Sequence, residues 1–146
     1  MDDNWIKKLL EASERLTPEQ EQEFVNLVSE ASGKCSLEVA RVLMKTFCDK
    51  PDYGTQERVN SVLATADRSI VIQALLEELP RLIKEAPEWA NCLVAQEVNF
   101  RIKLVENVAL KMPKNVQNIL KEILRNDEVV GFNFEVKKLR DKLAIG

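Results

Sequence analysis

Apolar residues recur along most of this chain at the spacing i, i+3, i+4 and i+7, which places them on one face of an α-helix. The spacing returns in seven stretches, whose apolar members are Phe24, Leu27, Val28 and Ala31; Ala40, Leu43, Met44 and Phe47; Val59, Val62, Leu63 and Ala66; Ile72, Leu75, Leu76 and Leu79; Leu79, Leu82, Ile83 and Ala86; Val105, Val108, Ala109 and Met112; and Val116, Ile119, Leu120 and Ile123. Because every stretch has the helical period, the pattern predicts an all-α fold.

Signals that begin and end helices lie between these stretches. The segment TPEQ at residues 17–20 offers a cap, a proline at the first helical position and a capping-box partner, in the order that a helix start requires. Pro80 lies inside a continuing stretch, so it either kinks one long helix or begins another. Further starts are predicted at Ser36, Thr55, Asp67, Pro87 and Pro113, and a stop at Ser32 and Gly33.

These boundaries predict about nine helices of roughly 8–14 residues, joined by short loops within one domain that spans residues 1–146. Helices this short and this closely connected are expected to stack as antiparallel hairpins. An irregular bundle and a short α-solenoid both fit. Pro80 and Pro113 lie 33 residues apart, each in helical sequence, and this faint repeat favours the solenoid-like arrangement.

The segment at residues 128–136 departs from the helical pattern. Its two phenylalanines and Val136 alternate along the chain, which is the period of a strand or of an extended stretch. Asn133 can instead cap a last helix whose inward face carries Val136 and Leu139. We prefer the helix.

Length and composition allow a well-formed core, because the chain has 146 residues of which 45% are hydrophobic. At the N-terminus, acids precede bases and no apolar run follows, so we expect no signal peptide. No run approaches the roughly 20 apolar residues that a membrane span needs. We therefore expect a cytoplasmic protein that does not contact a membrane.

The chain contains no histidine, which is the usual general base near neutral pH and the commonest metal ligand. This argues against Ser-His and Cys-His nucleophilic catalysis. Cys35, Cys48 and Cys92 form no CxxC pair, so we expect three reduced thiols, with a redox role as the alternative. Adjacent glutamates such as Glu77 and Glu78 point about 100° apart on a helix and do not converge on a substrate. We expect a protein that is not an enzyme and needs no cofactor or metal.

The formal net charge is −3, but the charges are unevenly distributed. Residues 1–30 hold eight acids against three bases, whereas residues 100–146 hold ten bases against six acids. An acidic body repels a phosphate backbone and attracts a basic protein, so we expect a protein partner and no direct contact with nucleic acid. The bases at residues 137–142 alternate with apolar residues, and we interpret them as interacting with a helix dipole.

Two segments are candidates for a partner-binding surface. The first is a turn that feeds a helix, and its candidate residues are Asp52, Tyr53, Gln56 and Glu57. Tyrosine flanked by polar groups is typical of protein interfaces. The alternative is a well-built helix start in which Tyr53 only covers the core.

The second segment joins an acidic run to a tryptophan, and its candidate residues are Glu77, Glu78, Glu85, Glu88 and Trp89. The acids lie beside a predicted chain bend that would align them on one ridge, where Trp89 would act as an interface anchor. The alternative is a solvated helix face with Trp89 folded inward, because a charge run on a helix is usually exposed to water.

The stretches DYGTQERVNSVL and EELPRLIKEAPEWA resemble the helical immunity proteins of bacterial contact-dependent growth inhibition, the CdiI type. Such proteins carry a turn followed by a helix, as at residues 52–63. A Leu-Pro helix that runs into an Ala-Pro-Glu-Trp step follows, as at residues 79–89. The resemblance covers about residues 50–95 and elsewhere extends only to helical character.

The resemblance implies a cytosolic antidote that binds and neutralises the C-terminal toxin domain of a cognate CdiA-like effector. Such toxins are often nucleases, including enzymes that cleave transfer RNA, and their basic substrate grooves suit an acidic antidote. The expected complex pairs one monomer with one toxin domain. A helical-repeat adaptor or scaffold that binds another protein or a peptide is the alternative, and the order of neighbouring genes discriminates between the two.

Overall fold

The computed structural model describes residues 1–50, 54–131 and 134–143. These residues form nine α-helices and no strand, which confirms the prediction of an all-α fold. In chain order the helices are α1 (Asp3–Ala12), α2 (Pro18–Glu30), α3 (Leu37–Met44), α4 (Thr55–Leu63), α5 (Arg68–Glu85), α6 (Pro87–Ala109), α7 (Lys114–Leu124), α8 (Asp127–Val130) and α9 (Phe134–Lys142).

Three helices fall outside the predicted range of lengths. α5 has 18 residues and contains Pro80, so this proline does not begin a new helix. α6 has 23 residues, but the backbone of Arg101 is not helical (φ −145°, ψ 45°), so two helical segments are joined there by a kink. α8 has only 4 residues. Because a kink without glycine or proline leaves no local signal, the apolar spacing does not locate it.

Contacts between residues group the chain into two compact units, residues 1–71 and residues 72–146. The first unit contains α1 to α4 and the start of α5, and the second contains the rest of α5 and α6 to α9. The single domain and the solenoid-like stacking concern the arrangement of the whole chain, and they stay predictions.

The first unit is built on the apolar faces of α1 to α4. Trp5 of α1 is buried, and its indole Nε1 donates a hydrogen bond to the carbonyl oxygen of Leu27 in α2 at 3.0 Å. α4 contacts both α2 and α3. The buried members of the predicted stripes in this unit are Phe24, Leu27, Val28, Ala31, Ala40, Leu43, Met44, Phe47, Val59, Val62 and Leu63.

Hydrogen bonds confirm three of the predicted helix caps. The accepting side chains, with the residues whose backbone N–H groups donate, are Thr17 with Gln20 (3.1 Å), Ser36 with Val39 (3.2 Å) and Asp67 with Ser69 (2.9 Å). As predicted, α6 begins at Pro87 and Pro113 directly precedes α7. These caps satisfy backbone donors that the first turn of a helix leaves without partners.

The predicted cap at Thr55 is wrong. The N-cap of α4 is Gly54, whose φ of +97° lies in the left-handed region that glycine adopts at least cost. Thr55 is instead the first residue of α4, and its buried hydroxyl accepts a hydrogen bond from the guanidinium of Arg15 at 2.9 Å. The threonine therefore serves a tertiary contact rather than its own helix start.

The second unit packs α7, α8 and α9 against α6. The helix preferred for the end of the segment at 128–136 is confirmed, because α9 buries Val136 and Leu139. Its predicted cap, Asn133, lies outside the described residues. The buried members of the predicted stripes in this unit are Ile72, Leu75, Leu76, Leu79, Leu82, Ala86, Val105, Ala109, Val116, Leu120 and Ile123.

Candidate functional site

The predicted turn before α4 is described only in part. Asp52 and Tyr53 lie outside the described residues. Glu57 is exposed on the first turn of α4, where a partner can reach it. Of this segment, Glu57 is therefore the one candidate whose described position suits a partner-binding role.

Gln56 does not face outward, which corrects the expectation that it meets a partner. Its side chain is only 2% exposed. Its Oε1 accepts a hydrogen bond from the backbone N–H of Cys48 at 2.8 Å, and its Nε2 donates to the carbonyl oxygen of Lys50 at 3.4 Å. Both ends of the amide thus satisfy backbone groups of the α3–α4 connection, so Gln56 supports this connection from inside.

Arg15 supports the same connection from the α1–α2 loop. Its Nη1 donates to Thr55 Oγ1 and its Nη2 donates to the carbonyl oxygen of Thr46, each at 2.9 Å. Nη2 also lies 3.3 Å from Cys48 Sγ, and the guanidinium carbon lies 4.6 Å from the centre of the Phe24 ring. Sequence reasoning missed Arg15, because Thr46 and Thr55 are 31 and 40 residues away in the chain.

The first two helices carry a large share of the negative charge of the first unit. Seven exposed carboxylates on these helices or beside α1 form no ion pair with another described residue. These acids, which we call the acidic helix pair, are Asp2, Asp3, Glu11, Glu14, Glu19, Glu23 and Glu30. Lys7 and Lys8 are also exposed on α1, so the acids exceed the bases here, and this excess of negative charge attracts cationic partners.

The four acids of the second predicted segment do not form one free ridge. Glu78 is 17% exposed, and its Oε1 lies 2.5 Å from Nε of Arg81. The same guanidinium lies 3.9 Å from Oε2 of Glu85, which is 63% exposed. Glu77 is exposed and accepts a hydrogen bond from a glutamine one turn earlier, and Glu88 is exposed at the start of α6. Only part of this charge is therefore available to a partner.

Trp89 is partly exposed on the first turn of α6. It thus lies between the two alternatives, since it is neither fully buried nor fully presented to solvent. An interface anchor needs an accessible apolar surface, and the exposed part of Trp89 provides some of it. Its role in binding stays a prediction.

An open groove of about 450 Å³ lies close to this segment, entirely within the second unit. Its lining combines three isoleucines, Ile83, Ile119 and Ile123, with polar side chains. The residues that line it belong to α5, α6, α7 and the turn after α7, and they are Ile83, Asn91, Asn118, Ile119, Glu122, Ile123 and Asn126. Its size is typical of ligand-binding pockets, which measure about 300–1,000 Å³.

Two asparagine side chains that line this groove make no hydrogen bond within the described part of the chain. They are the side chains of Asn91 and Asn118. Asn126 differs, because its Oδ1 accepts a hydrogen bond from the backbone N–H of Glu128 at 3.0 Å. Sequence reasoning missed these asparagines, because nothing local distinguishes them from ordinary surface residues.

The basic C-terminal helix forms contacts inside the second unit. Nζ of Lys142 contacts Oε1 of Glu106. The hydrogen bond that Lys142 donates holds the pKa of the Glu106 carboxyl below its ordinary value. Nζ of Lys138 lies 4.6 Å from the centre of the Phe134 ring. Two of the basic residues at 137–142 thus make contacts within the second unit, and the absence of nucleic-acid binding stays a prediction.

The three cysteines are free thiols in different surroundings. Cys35 and Cys48 are partly buried, whereas Cys92 is exposed. Burial raises the pKa of the Cys35 thiol, and the nearby charge of Arg68 lowers it to a smaller extent.

Among the described residues, no helix has both the length and the apolar character to cross a bilayer.

Comparisons with protein-family models, with curated proteins and with solved structures find no match to this chain. The helices and the groove describe an all-α protein with an open, partly apolar surface on its second unit. The likeness to CdiI-type immunity proteins depends on the two quoted stretches alone, and the function that it implies is a proposal.

Proposed function

We propose that this chain is an immunity protein that binds and neutralises the C-terminal toxin domain of a cognate CdiA-like effector. The proposal starts from the resemblance of DYGTQERVNSVL and EELPRLIKEAPEWA to the CdiI type. The observation that supports it best is the position of the second stretch. This stretch contributes Ile83 to the groove and ends immediately before Asn91, another of its lining residues.

Such a groove is suited to contact with another polypeptide. Its isoleucine side chains offer apolar area, and its unused amides offer hydrogen bonds that a partner would complete. Glu85 and Glu88, both exposed, lie on the same stretch and would attract a basic nuclease domain. Charges at the edge of an interface mainly accelerate association, whereas apolar contacts at its centre mainly slow dissociation.

The direct test uses the C-terminal domain of the large protein encoded immediately upstream of this gene. Calorimetry with a catalytically inactive form of that domain should give a dissociation constant at or below about 1 nM, or roughly 12 kcal/mol of binding free energy. Co-expression with the active domain should restore growth, whereas an unrelated toxin should stay lethal. Micromolar binding, or no protection of the cell, would refute the immunity function.

A helical-repeat adaptor that binds a peptide is the second candidate. The unused amides of Asn91 and Asn118 favour it as much as they favour a toxin partner, because a peptide backbone pairs with amides in either case. The growth assay separates the two functions. An adaptor would bind its peptide without protecting cells, and its gene would not follow a toxin gene.

A further inference from the structure

The two halves of α6 meet at Arg101, whose backbone (φ −145°, ψ 45°) leaves the helical region. Position 101 lies four residues after Glu97 and three after Val98, which are both buried. A continuous helix would therefore place the side chain of residue 101 on the same buried face. Val105, four residues further on, is buried as well. In a continuous helix an arginine would thus occupy the middle of the core-facing stripe of α6.

The interior beside this position is aliphatic. Glu97 is only 5% exposed, and it lines a small cavity within the second unit. Leu75, Leu76 and Leu120 are among the aliphatic residues around this cavity. Full burial of a guanidinium among such side chains costs free energy, because the charge loses its hydration there.

The kink removes this conflict. It leaves the side chain of Arg101 35% exposed, while its Nη1 still lies 3.1 Å from Oε2 of Glu97. The guanidinium carbon also lies 5.9 Å from the centre of the exposed Phe100 ring. The cation therefore keeps both its partner anion and its contact with water. After Pro87, α6 contains neither proline nor glycine, so neither residue type causes the kink.

We propose that the positive charge of Arg101 sets the kink in α6 and thereby selects between two arrangements of this helix. With the charge present, α6 breaks at residue 101 and the guanidinium reaches water. Without the charge, the buried face runs on uninterrupted and α6 becomes one continuous helix. Glu97 is a positioning residue in this device, because it holds the guanidinium at the edge of the core.

The kink also determines where α9 lies on α6. Lys103 contacts Glu135 of α9 at 3.6 Å, and Glu106 contacts Lys142 of α9. Both contacts come from the half of α6 that follows the kink, whereas the groove residue Asn91 belongs to the half before it. The charge of Arg101 therefore positions α9 relative to the first half of α6. This role does not depend on the proposed function.

NMR measures φ at residue 101 through the coupling between its amide and α protons in ¹⁵N-labelled protein. The wild type should show the large coupling of an extended φ. Glu97→Gln/Arg101→Met removes both charges with little change in volume, and it should fold, because uncharged residues of similar size often replace a buried ion pair without loss of stability. In this variant the coupling at residue 101 should fall about twofold, as φ moves from −145° toward the roughly −63° of a helix.

Two single variants separate the charge of Arg101 from its pairing. Glu97→Gln removes the partner anion but leaves the charge, so the large coupling at residue 101 should persist. Lys103→Met removes a cation of the same helix that is 74% exposed, and it should leave this coupling at the wild-type value.

Three results overturn the inference. The coupling at residue 101 could be unchanged in Glu97→Gln/Arg101→Met, it could fall in Glu97→Gln alone, or it could already be small in the wild type. If the double variant does not fold, Arg101→Gln replaces it under the same criterion. Loss of folding in both would show that the charge maintains the fold instead of selecting between two arrangements, and this too would overturn the inference.

Discussion

Removal of the Arg15 side chain should destabilise the first unit. The guanidinium makes hydrogen bonds of 2.9 Å to Thr46, in the α3–α4 connection, and to Thr55, at the start of α4, and it stacks against the Phe24 ring. Hydrogen bonds that involve a charged group contribute about 1.5–3 kcal/mol each. Ordering an arginine side chain costs up to about 2 kcal/mol, which offsets part of this sum. We therefore expect Arg15→Ala to lower the free energy of unfolding by about 2–3 kcal/mol.

The assay is urea denaturation followed by circular dichroism, supported by thermal melts. For a chain of about 150 residues, 1 kcal/mol corresponds to a shift in Tm of roughly 2–4 °C, so Arg15→Ala should lower Tm by about 4–12 °C. Arg58→Ala is the matched control, because Arg58 is exposed on α4 and its side chain makes no hydrogen bond or ion pair with a described residue. Its effect should stay within about 0.5 kcal/mol.

A third variant separates the side-chain contacts from the backbone. Arg15 has a φ of +51°, a conformation that costs a non-glycine residue about 1 kcal/mol. Arg15→Gly loses the same contacts as Arg15→Ala but relieves this strain, so it should be the more stable of the two by up to about 1 kcal/mol. If Arg15→Ala and Arg58→Ala shift the urea midpoint equally, the assignment of Arg15 as the link between these loops is wrong.

Three further predictions concern thiols, pH and charge. Cys92 should react with Ellman's reagent well before Cys35, because burial raises the pKa of the Cys35 thiol and the thiolate is the nucleophile; equal rates would contradict this. The hydrogen bonds that Asp67 accepts lower its pKa, so the carboxylate stabilises the fold at neutral pH and this stabilisation is lost as pH falls through the lowered pKa. Asp67→Asn should therefore be less stable than the wild type at pH 7 but not in strong acid. Urea titrations at both pH values measure the difference. Replacing Glu85 and Glu88 by lysine should slow association with the toxin domain about tenfold and weaken the dependence of the association rate on salt, as stopped-flow experiments would measure. Unchanged association rates would show that these acids do not attract the toxin domain.

The helices were predictable because their determinants are local. The caps at Thr17, Ser36 and Asp67 need only residues two or three positions away, and the apolar period of each stripe is complete within one helix. Pro80 was ambiguous because its local effect and its tertiary context compete. A proline removes one backbone hydrogen bond, but the adjacent Leu79 is fully buried, and packing of this kind keeps the helix continuous.

The candidate site was less predictable because it depends on contacts between distant segments. Asn91 and Asn118 belong to different helices, and only the fold places them on the same groove. Thr55 was predicted to begin a helix and Gln56 to face a partner, yet the side chains of both form hydrogen bonds with distant residues of the same chain. A polar residue in a turn can serve a cap, a partner or the core, and sequence spacing alone does not choose among them.

The acidic run shows how the same residue type takes on different roles within a few positions. Glu78 is mostly buried against Arg81, so a lysine in its place would bring two positive charges together, and any loss of binding would follow from a loss of stability. Glu88 is exposed on the first turn of α6 and has no ion pair with a described residue, so its charge acts on whatever approaches from solution. Glu85 is intermediate, because its contact with the same guanidinium is long and largely solvated. Of these three acids, Glu88 therefore keeps the most charge available to a partner, and it lies at the start of α6, three residues before the groove residue Asn91.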